Sequence, residues 1–406
     1  MATQRRAVLA SLLASGASAW VPPVRSATAP LRVGVVGAGI VGASIARHLA
    51  RAGAQVWVFE KLAPAQGATQ NSFAWLNAFV EDAHYRALRL ESLKAYHELD
   101  RPLALNIVWG GYLNWASNAA EAEVVRANAQ QLAGTAHPTR RISAREFMAL
   151  DPAIISGPIT EAIYSPLDGH LDPVQVTRRF LDDAVKAGAK LLYPCELSAL
   201  ELNGNRLQGV ATTQGRFGLD RLVVAAGVDT PRILAMARCS LSLKHAPGIL
   251  AHSAPLAVAT QRVHDAPGTV EFKQMADGSI VGTDAPSPPE TPAHQEIRAH
   301  AISFPSDELR AYHGKRILGR IARFLPAAAG AKLERLTLGF RPMPTDGFPV
   351  VGALPTIPDI HVAVTHSGVT LAPILGRLMT EEVLRGSRAT WLQPYRPERF
   401  SPRAAA

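Results

Sequence analysis

The first regular pattern along the chain is a short apolar run, Leu31-Arg32-Val33-Gly34-Val35-Val36, rich in β-branched residues and closed by glycine. Such a run predicts a short buried strand. It passes directly into Gly37-Ala38-Gly39-Ile40-Val41-Gly42; residues 43–50 then have helical character and Gly53 ends them. Residues 55–60, Gln-Val-Trp-Val-Phe-Glu, predict a second strand. Residues 61–79 are rich in Gly, Ser/Thr and Asn, with Gly67-Ala68-Thr69-Gln70-Asn71-Ser72 at their centre. Helix is predicted over 84–99 and 119–132, and extended chain over 112–115.

A second α/β block starts at Asp172-Pro173, where proline suits the first turn of a helix. Val176, Phe180, Leu181, Ala184 and Val185 form its apolar stripe, and Gly188 ends it. Strands are predicted over 190–193 and 197–202, with Asn203-Gly204-Asn205 turning the second into 207–212. Residues 222–227 predict a buried strand that ends in Ala225, Ala226 and Gly227. Small residues there let the backbone pass close to a bound nucleotide. Residues 236–334 differ in character. They hold a hairpin, 270–275 and 279–282, turned by Asp277-Gly278, then a Pro-rich link over 285–292 and helical segments near Leu309 and over 317–324. Near the C-terminus, residues 362–365 read as strand, and Leu371, Ile374, Leu375, Leu378 and Met379 keep helical spacing. No internal repeat is present.

Composition narrows the class. The 406 residues suffice for two packed lobes. With 48% apolar and 18% charged residues the chain is globular in character, the opposite of a disordered balance. The net charge of +9 is spread without a basic block, which leaves no footprint for nucleic acid. No apolar run has the length of a membrane-spanning helix. The two cysteines, Cys195 and Cys239, are too few for a disulfide scaffold or a zinc site, and no metal is expected. They either pair in an oxidising compartment or remain two buried thiols. At the N-terminus, Arg5-Arg6, a short apolar run to Ala14 and Ala17-Ser18-Ala19 predict a twin-arginine signal peptide over 1–30. That expectation places the mature chain in the periplasm; without export it is cytoplasmic.

The strand–turn–helix–strand at 31–60 carries the first chemistry. Gly37 permits the tight turn, Gly39 lets the backbone approach a pyrophosphate, and Gly42 lets the helix pack on the strand. Ala38, Ile40 and Val41 share this cradle. The helix start offers N–H groups and the positive end of a dipole to phosphates. Glu60, at the end of the second strand and followed by Lys61, can accept both hydroxyls of an adenosine ribose. The motif leaves FAD and NAD open, whereas Glu60 argues against NADP, whose extra phosphate it would repel.

Two late segments add to this: Gly339-Phe340-Arg341-Pro342-Met343-Pro344-Thr345-Asp346-Gly347-Phe348-Pro349-Val350-Val351-Gly352, and Val362-Ala363-Val364-Thr365-His366-Ser367-Gly368-Val369-Thr370-Leu371-Ala372-Pro373. Ser367, Gly368, Val369 and Thr370 fall at a helix N-terminus, where backbone donors stabilise negative charge. Together with the GxGxxG, Glu60, the 67–72 loop, Gly169-His170-Leu171-Asp172-Pro173 and Val223-Val224-Ala225-Ala226-Gly227, these segments resemble the FAD-dependent D-amino-acid, glycine and sarcosine oxidoreductases.

The resemblance implies an α/β fold: a Rossmann-like FAD-binding lobe (31–95, 170–235 and 335–395) with an inserted α+β substrate lobe (96–169 and 236–334) whose sheet is mixed or antiparallel. It implies that Arg341 holds the substrate carboxylate, a task suited to a guanidinium fork, although a structural arginine paired to an acid remains the alternative. Leu197 falls where a backbone group meets the adenine. Ala68, Thr69, Ser72, Ala226 and Gly227 fall along the cofactor, and Gly368, Val369 and Thr370 beside the flavin. Ser367 stands where the family usually has glycine. No cysteine lies where sarcosine oxidases attach flavin, so FAD should be noncovalent, and the tyrosines of D-amino-acid oxidase sites have no convincing match. His366 and His84 read as structural or flavin-adjacent rather than as general bases, and His245 and Lys273 as weaker candidates. The implied reaction is oxidation of the C–N bond of a D-amino acid, glycine or N-methyl amino acid, with hydride passing to FAD and the imine hydrolysing in water. Oxygen or a quinone then takes the electrons. An NAD-dependent dehydrogenase and a non-catalytic flavin-binding protein are the other readings.

Overall fold

The computed structural model describes residues 29–268, 270–284, 295–296, 304 and 306–400. Nearly all of the expected signal peptide, and the Pro-rich link at 285–292, lie outside the described residues. No helix among those described is long and apolar enough to cross a membrane.

The strands that read as short apolar runs are the ones that become central. A six-stranded sheet runs in the order Val350–Ala353, Ile360–Val364, Arg221–Val224, Arg32–Val36, Gln55–Phe59 and Lys190–Leu192. All neighbours are parallel except Val350–Ala353, which is antiparallel to Ile360–Val364. Parallel strands covered on both faces need apolar residues on both. Here Val33, Val35, Val56 and Val58 pack toward the helices Ile40–Arg51, Pro173–Lys186 and Gly368–Arg385. Val36, Phe59, Leu222 and Val224 pack the other way, on a three-stranded antiparallel sheet (Leu197–Asn203, Arg206–Thr212, Gly215–Gly218) and the helix Thr230–Met236. Asp183 accepts from Arg47 Nε and Arg51 Nε, each at 2.7 Å, and so fastens two of the helices together.

The second lobe is an eight-stranded sheet in the order Leu333–Phe340, Pro247–Ser253, Ile280–Asp284, Val270–Gln274, Val263–Ala266, Tyr112–Ala116, Glu161–Ser165 and Arg140–Arg141. It is antiparallel apart from the parallel pair Val263–Ala266 and Tyr112–Ala116. One face carries Trp115, Phe272, Ile280 and Leu336 against the helix Asp307–Ile321, and the other turns toward the first lobe. The two helical segments expected near 309 and over 317–324 form this one helix, capped by Ser306. The expected strand at 222–227 stops at Val224, and the chain then turns past Ala225 and Ala226 into a short 3-10 helix at Gly227–Asp229. The helix expected over 84–99 runs further, Ala83–Leu103, with the Asp82 carboxylate accepting the Tyr85 N–H at 2.7 Å. Strand Leu333–Phe340 straddles the lobe boundary expected at 335.

Candidate active site

Between the two sheets lies a cleft of about 570 Å³. At one end it is made by the strand–turn–helix at 32–51. Gly37 has φ +103°, and a Cβ there would stand 2.5 Å from the Ala225 carbonyl oxygen. A Cβ on Gly42 would stand 2.0 Å from the Gly37 oxygen. These two glycines are therefore required by the protein's own backbone contacts. Gly39 is different, since a Cβ there would meet only Thr69 Oγ1, at 3.1 Å. The space it leaves belongs to the cleft.

Both long helices that begin here, Ile40–Arg51 and Gly368–Arg385, start without a cap from their own N-cap side chain, and their first turns line the cleft. Thr69 Oγ1 accepts the Ile40 N–H at 3.1 Å, and Thr370 Oγ1 donates to the Trp75 carbonyl at 3.2 Å. Glu60 accepts the Ala38 N–H and the Leu62 N–H, one on each oxygen and both at 2.9 Å. Each oxygen keeps a further lone pair for a hydroxyl.

Among the residues expected to hold the cofactor, Gly37, Gly39, Ile40, Val41, Glu60 and Lys61 line the cleft, as do Ala68, Thr69, Ser72 and Leu197. So do Ala226, Gly227, Ser367, Gly368, Val369 and Thr370. Ala38 and Gly42 stand behind the wall: the first donates to Glu60 and the second packs on Gly37. Lys61 is engaged with Asp229 at 3.4 Å. Cys195 lies near Leu197 in the wall, and Cys239 meets Thr356 Oγ1 at 3.3 Å and packs on the same apolar cluster as Cys195. Both thiols are free.

The opposite end is built from side chains. Arg341 is exposed in the cleft, and its Nε donates to the Ala246 carbonyl at 3.3 Å. Among the described residues it makes no ion pair. Its pKa is lowered by burial against the pull of Glu271, yet an arginine remains cationic. Arg89 lines the same end, with Nη1 donating to Asn77 Oδ1 at 2.9 Å, Nη2 donating to Ser367 Oγ and its guanidinium 4.7 Å from the Tyr85 ring centroid. His366, also in the wall, is pushed down to about 4 by burial, with Arg341 and Arg89 adding to the effect. It is neutral at physiological pH and a weak base.

His84 and His245 do not line the cleft: His84 bonds Tyr395 Oη at 3.0 Å, and His245 lies against Phe340 with ring centroids 5.2 Å apart. Lys273 is buried behind the wall, with Nζ 3.3 Å from the Leu171 carbonyl and 3.5 Å from that of Ala74. Arg89, Trp75 and Glu271 line the cleft without having been expected there. Two of them left a trace in the sequence. Glu271 and Lys273 alternate with Phe272 on one strand, and Tyr85, Arg89, Ser92 and Tyr96 recur along one helix face at helical spacing.

The FAD-dependent oxidoreductase (DAO) family matches residues 32–382, nearly the whole described chain. The chain belongs to this family. It is 25% identical to the glycine oxidase of Geobacillus kaustophilus (strain HTA426) over 377 residues, which is 89% of this chain and 95% of that one. It is 24% identical to the mitochondrial dimethylglycine dehydrogenase of Mus musculus over 388 residues, 90% of this chain but 44% of the relative, so it spans less than half of that protein. The crystal structure of glycine oxidase from Geobacillus kaustophilus shares the fold, with a TM-score of 0.79 at 22% identity over 93% of this chain and all of that one.

The protein is therefore an enzyme and an oxidoreductase, and its cofactor is FAD rather than NAD. The residues present fit that group. Gly39 opens onto the cleft, where a Cβ would press only on Thr69 Oγ1, two helix starts without a cap from their own N-cap side chain share the cleft, and Glu60 retains acceptor capacity. Cys195, the cysteine that lines the cleft, stands beside Leu197, in keeping with noncovalent FAD.

Proposed function

We propose that this enzyme oxidises the C–N bond of a small amine bearing a carboxylate: a D-amino acid, glycine or an N-methyl amino acid. The observation that carries the reading is Arg341, a guanidinium held in the cleft wall without a carboxylate partner among the described residues. A bidentate fork in a partly desolvated site selects a carboxylate strongly. The names of the relatives, glycine oxidase and dimethylglycine dehydrogenase, point to the same substrate class.

Gly39 and the N–H groups behind it take the pyrophosphate, Glu60 the ribose hydroxyls, Leu197 the adenine, and Gly368, Val369 and Thr370 the flavin edge. FAD, when bound, supplies the acceptor for a hydride from the carbon next to nitrogen. Arg341 fixes the carboxylate so that this carbon is held at the ring face, and positioning of that kind can supply much of the rate. The start of helix Gly368–Arg385 stabilises negative charge that develops beside it. The imine leaves and hydrolyses in water, and oxygen or a quinone takes the electrons. Export by the twin-arginine route belongs to the same reading. It rests on Arg5, Arg6 and Ala17-Ser18-Ala19, and recovery of an intact Met1 from periplasmic protein would overturn it.

The test is anaerobic flavin bleaching with a panel of D-amino acids, glycine, sarcosine and dimethylglycine, followed by admission of air. At least one member is expected to bleach the flavin. A panel that never does so, on protein with full flavin content, rejects the reading.

A further inference from the structure

An amine can release hydride from its neighbouring carbon only when the nitrogen lone pair is free, yet amino acids are ammonium ions at neutral pH. The site therefore needs an acceptor for one proton, and His366 and Arg341 are poorly suited to that task. Of the acidic residues lining the cleft, Glu60 is hydrogen-bonded to two backbone N–H groups, and Glu196 and Asp229 pair with Arg232 at 3.1 and 2.8 Å. Asp284 pairs with Arg316 at 2.6 Å. Glu271 alone among them has a carboxylate with no hydrogen bond or ion pair within the described residues.

Its position comes from sheet register. Glu271 lies directly opposite Asp265 on the antiparallel neighbour and opposite Thr283 on the other side. Directly opposed residues share a face, and Glu271 and Thr283 both line the cleft. Asp265 accepts a hydrogen bond from Tyr112 Oη at 3.2 Å, and Tyr112 stacks on Trp75 with centroids 4.5 Å apart. The charged and titratable groups facing Glu271 are thus Asp265 from the adjoining strand, Tyr112 from the strand beyond it and Lys273 from its own. Arg341 faces it from the end of Leu333–Phe340, with His366 and Arg89 beyond. Thr283 Oγ1 donates to the Ile249 carbonyl and is neutral.

We propose that Glu271 is the base that takes the proton of the substrate ammonium, with Asp265 behind it as its proton-sharing partner. The proposal rests on the carboxylate-bearing amine reading. One N–H bond of the ammonium breaks, its electron pair stays on nitrogen, and an O–H bond forms on a Glu271 oxygen. The cation and the carboxylate both become neutral, so the exchange leaves less charge to be carried in a desolvated cleft. Burial and the nearby Asp265 hold the Glu271 carboxyl well above the usual carboxylate range, with Arg341 pulling the other way. Burial also raises Asp265, against its hydrogen bond from Tyr112. Two acids so close share a proton rather than ionise together, and a carboxylate raised in this way is a better match for an amine proton. Arg341 and Glu271 then read the two ends of one amino acid.

The test uses flavin-loaded enzyme and two ligands that cannot be oxidised at the α-carbon: 2-aminoisobutyrate, which has no hydrogen there, and isobutyrate, which has no amine. Binding is followed by perturbation of the flavin spectrum. In Glu271→Gln, affinity for 2-aminoisobutyrate should fall roughly tenfold or more, while isobutyrate binds as well or better and flavin content is unchanged. With an active member of the bleaching panel, the acid limb of the kcat/KM profile should move up to the pKa of the substrate's own ammonium group in Glu271→Gln, stay below it in Glu271→Asp, and move to lower pH in Asp265→Asn. An unchanged preference for 2-aminoisobutyrate together with an unchanged acid limb overturns the proposal while leaving the Arg341 reading intact. If neither ligand perturbs the wild-type flavin, both fall. Should Glu271→Gln fail to fold, the shift in Asp265→Asn decides alone, and an unmoved limb there overturns the proposal.

Discussion

At the Glu60 end of the cleft most contacts come from backbone: a turn between strand and helix, glycines without side chains, and N–H groups at helix starts. At the Arg341 end they come from side chains: Arg341, Glu271, Arg89 and His366, carried on a strand, a helix and two loops that are far apart in sequence. On the proposed reading, the difference follows from what each end would recognise. Phosphates and ribose are the same whatever the substrate, and backbone donors in a fixed turn serve them well. A carboxylate and an amine call for opposite charges at one end of the cleft, here carried on one strand and just past the end of another, with two strands between them. Backbone recognition is written in a contiguous stretch, and side-chain recognition is scattered over much of the chain.

The largest effect should come from a small change at the backbone end. Gly39→Val places a branched side chain at the cleft wall, where its Cβ presses only on Thr69 Oγ1 at 3.1 Å, so the apoprotein should keep its fold with a small loss of stability and emerge nearly colourless. Gly42→Val should lose both flavin and stability, because its Cβ has the Gly37 carbonyl 2.0 Å away. Flavin absorbance per chain and thermal melting of the apoproteins separate the two. If Gly39→Val melts as early as Gly42→Val, the space at Gly39 is a packing requirement and not a phosphate site.

Next in size is Arg341→Met. Removing one partner of a desolvated, hydrogen-bonded charge pair costs about 2–5 kcal/mol, or roughly 30- to 4,000-fold in affinity or kcat/KM. Flavin content should not change. Arg341→Lys should recover only part of the loss, since an ammonium cannot reproduce the fork. If Arg341→Met released flavin instead, the division between the two ends would fail.

The same contrast explains what could be read in advance. The turn at 37–42, Glu60, the 67–72 loop and the 366–370 helix start are local patterns, each legible within a short window, and nearly all of their residues meet in the cleft. The exceptions, Ala38 and Gly42, are integral to the turn but face away from the space it makes. Strands Arg32–Val36 and Gln55–Phe59 were equally plain, because burial on both faces demands unbroken apolar runs. Pro247–Ser253, with proline, glycine, histidine and serine among its seven residues, gave no such signal, since one face of its sheet borders a polar cleft. The pairing of Glu271 with Asp265 depends on hairpin register, and its approach to Arg341 depends on a strand far away in sequence. No local window contains either.

Glu60→Ala should have a smaller effect on the backbone end than Gly39→Val. Hydrogen bonds to a charged group contribute about 1.5–3 kcal/mol, so FAD affinity should fall roughly 10- to 150-fold while saturated enzyme keeps its kcat. The measurement is FAD titration into apoprotein by quenching of flavin fluorescence. A drop in kcat at saturating FAD would show Glu60 reaching beyond the ribose, contrary to the separation of the ends.

The smallest effect tests the side-chain end through stability. Lys273 shares its strand face with Glu271, and burial lowers its pKa from 10.5 to about 7 while Asp172 partly opposes. Between those values the unfolded chain binds a proton that the folded chain lacks, so the folded state gains stability as pH rises through that window. Below about 7 the cost of keeping the ammonium buried is felt in full. Lys273→Met should therefore melt roughly 2–5 °C higher than wild type at pH 6. The gain should shrink toward pH 10 and then change sign, because the neutral amine's contacts with the Leu171 and Ala74 carbonyls are lost in the variant. A difference that stays constant from pH 6 to pH 10 would mean that Lys273 keeps its proton throughout. The face that positions Glu271 would then carry a full positive charge, which would make Glu271 a weaker base and undercut the contrast between the two ends at the point where it is most specific.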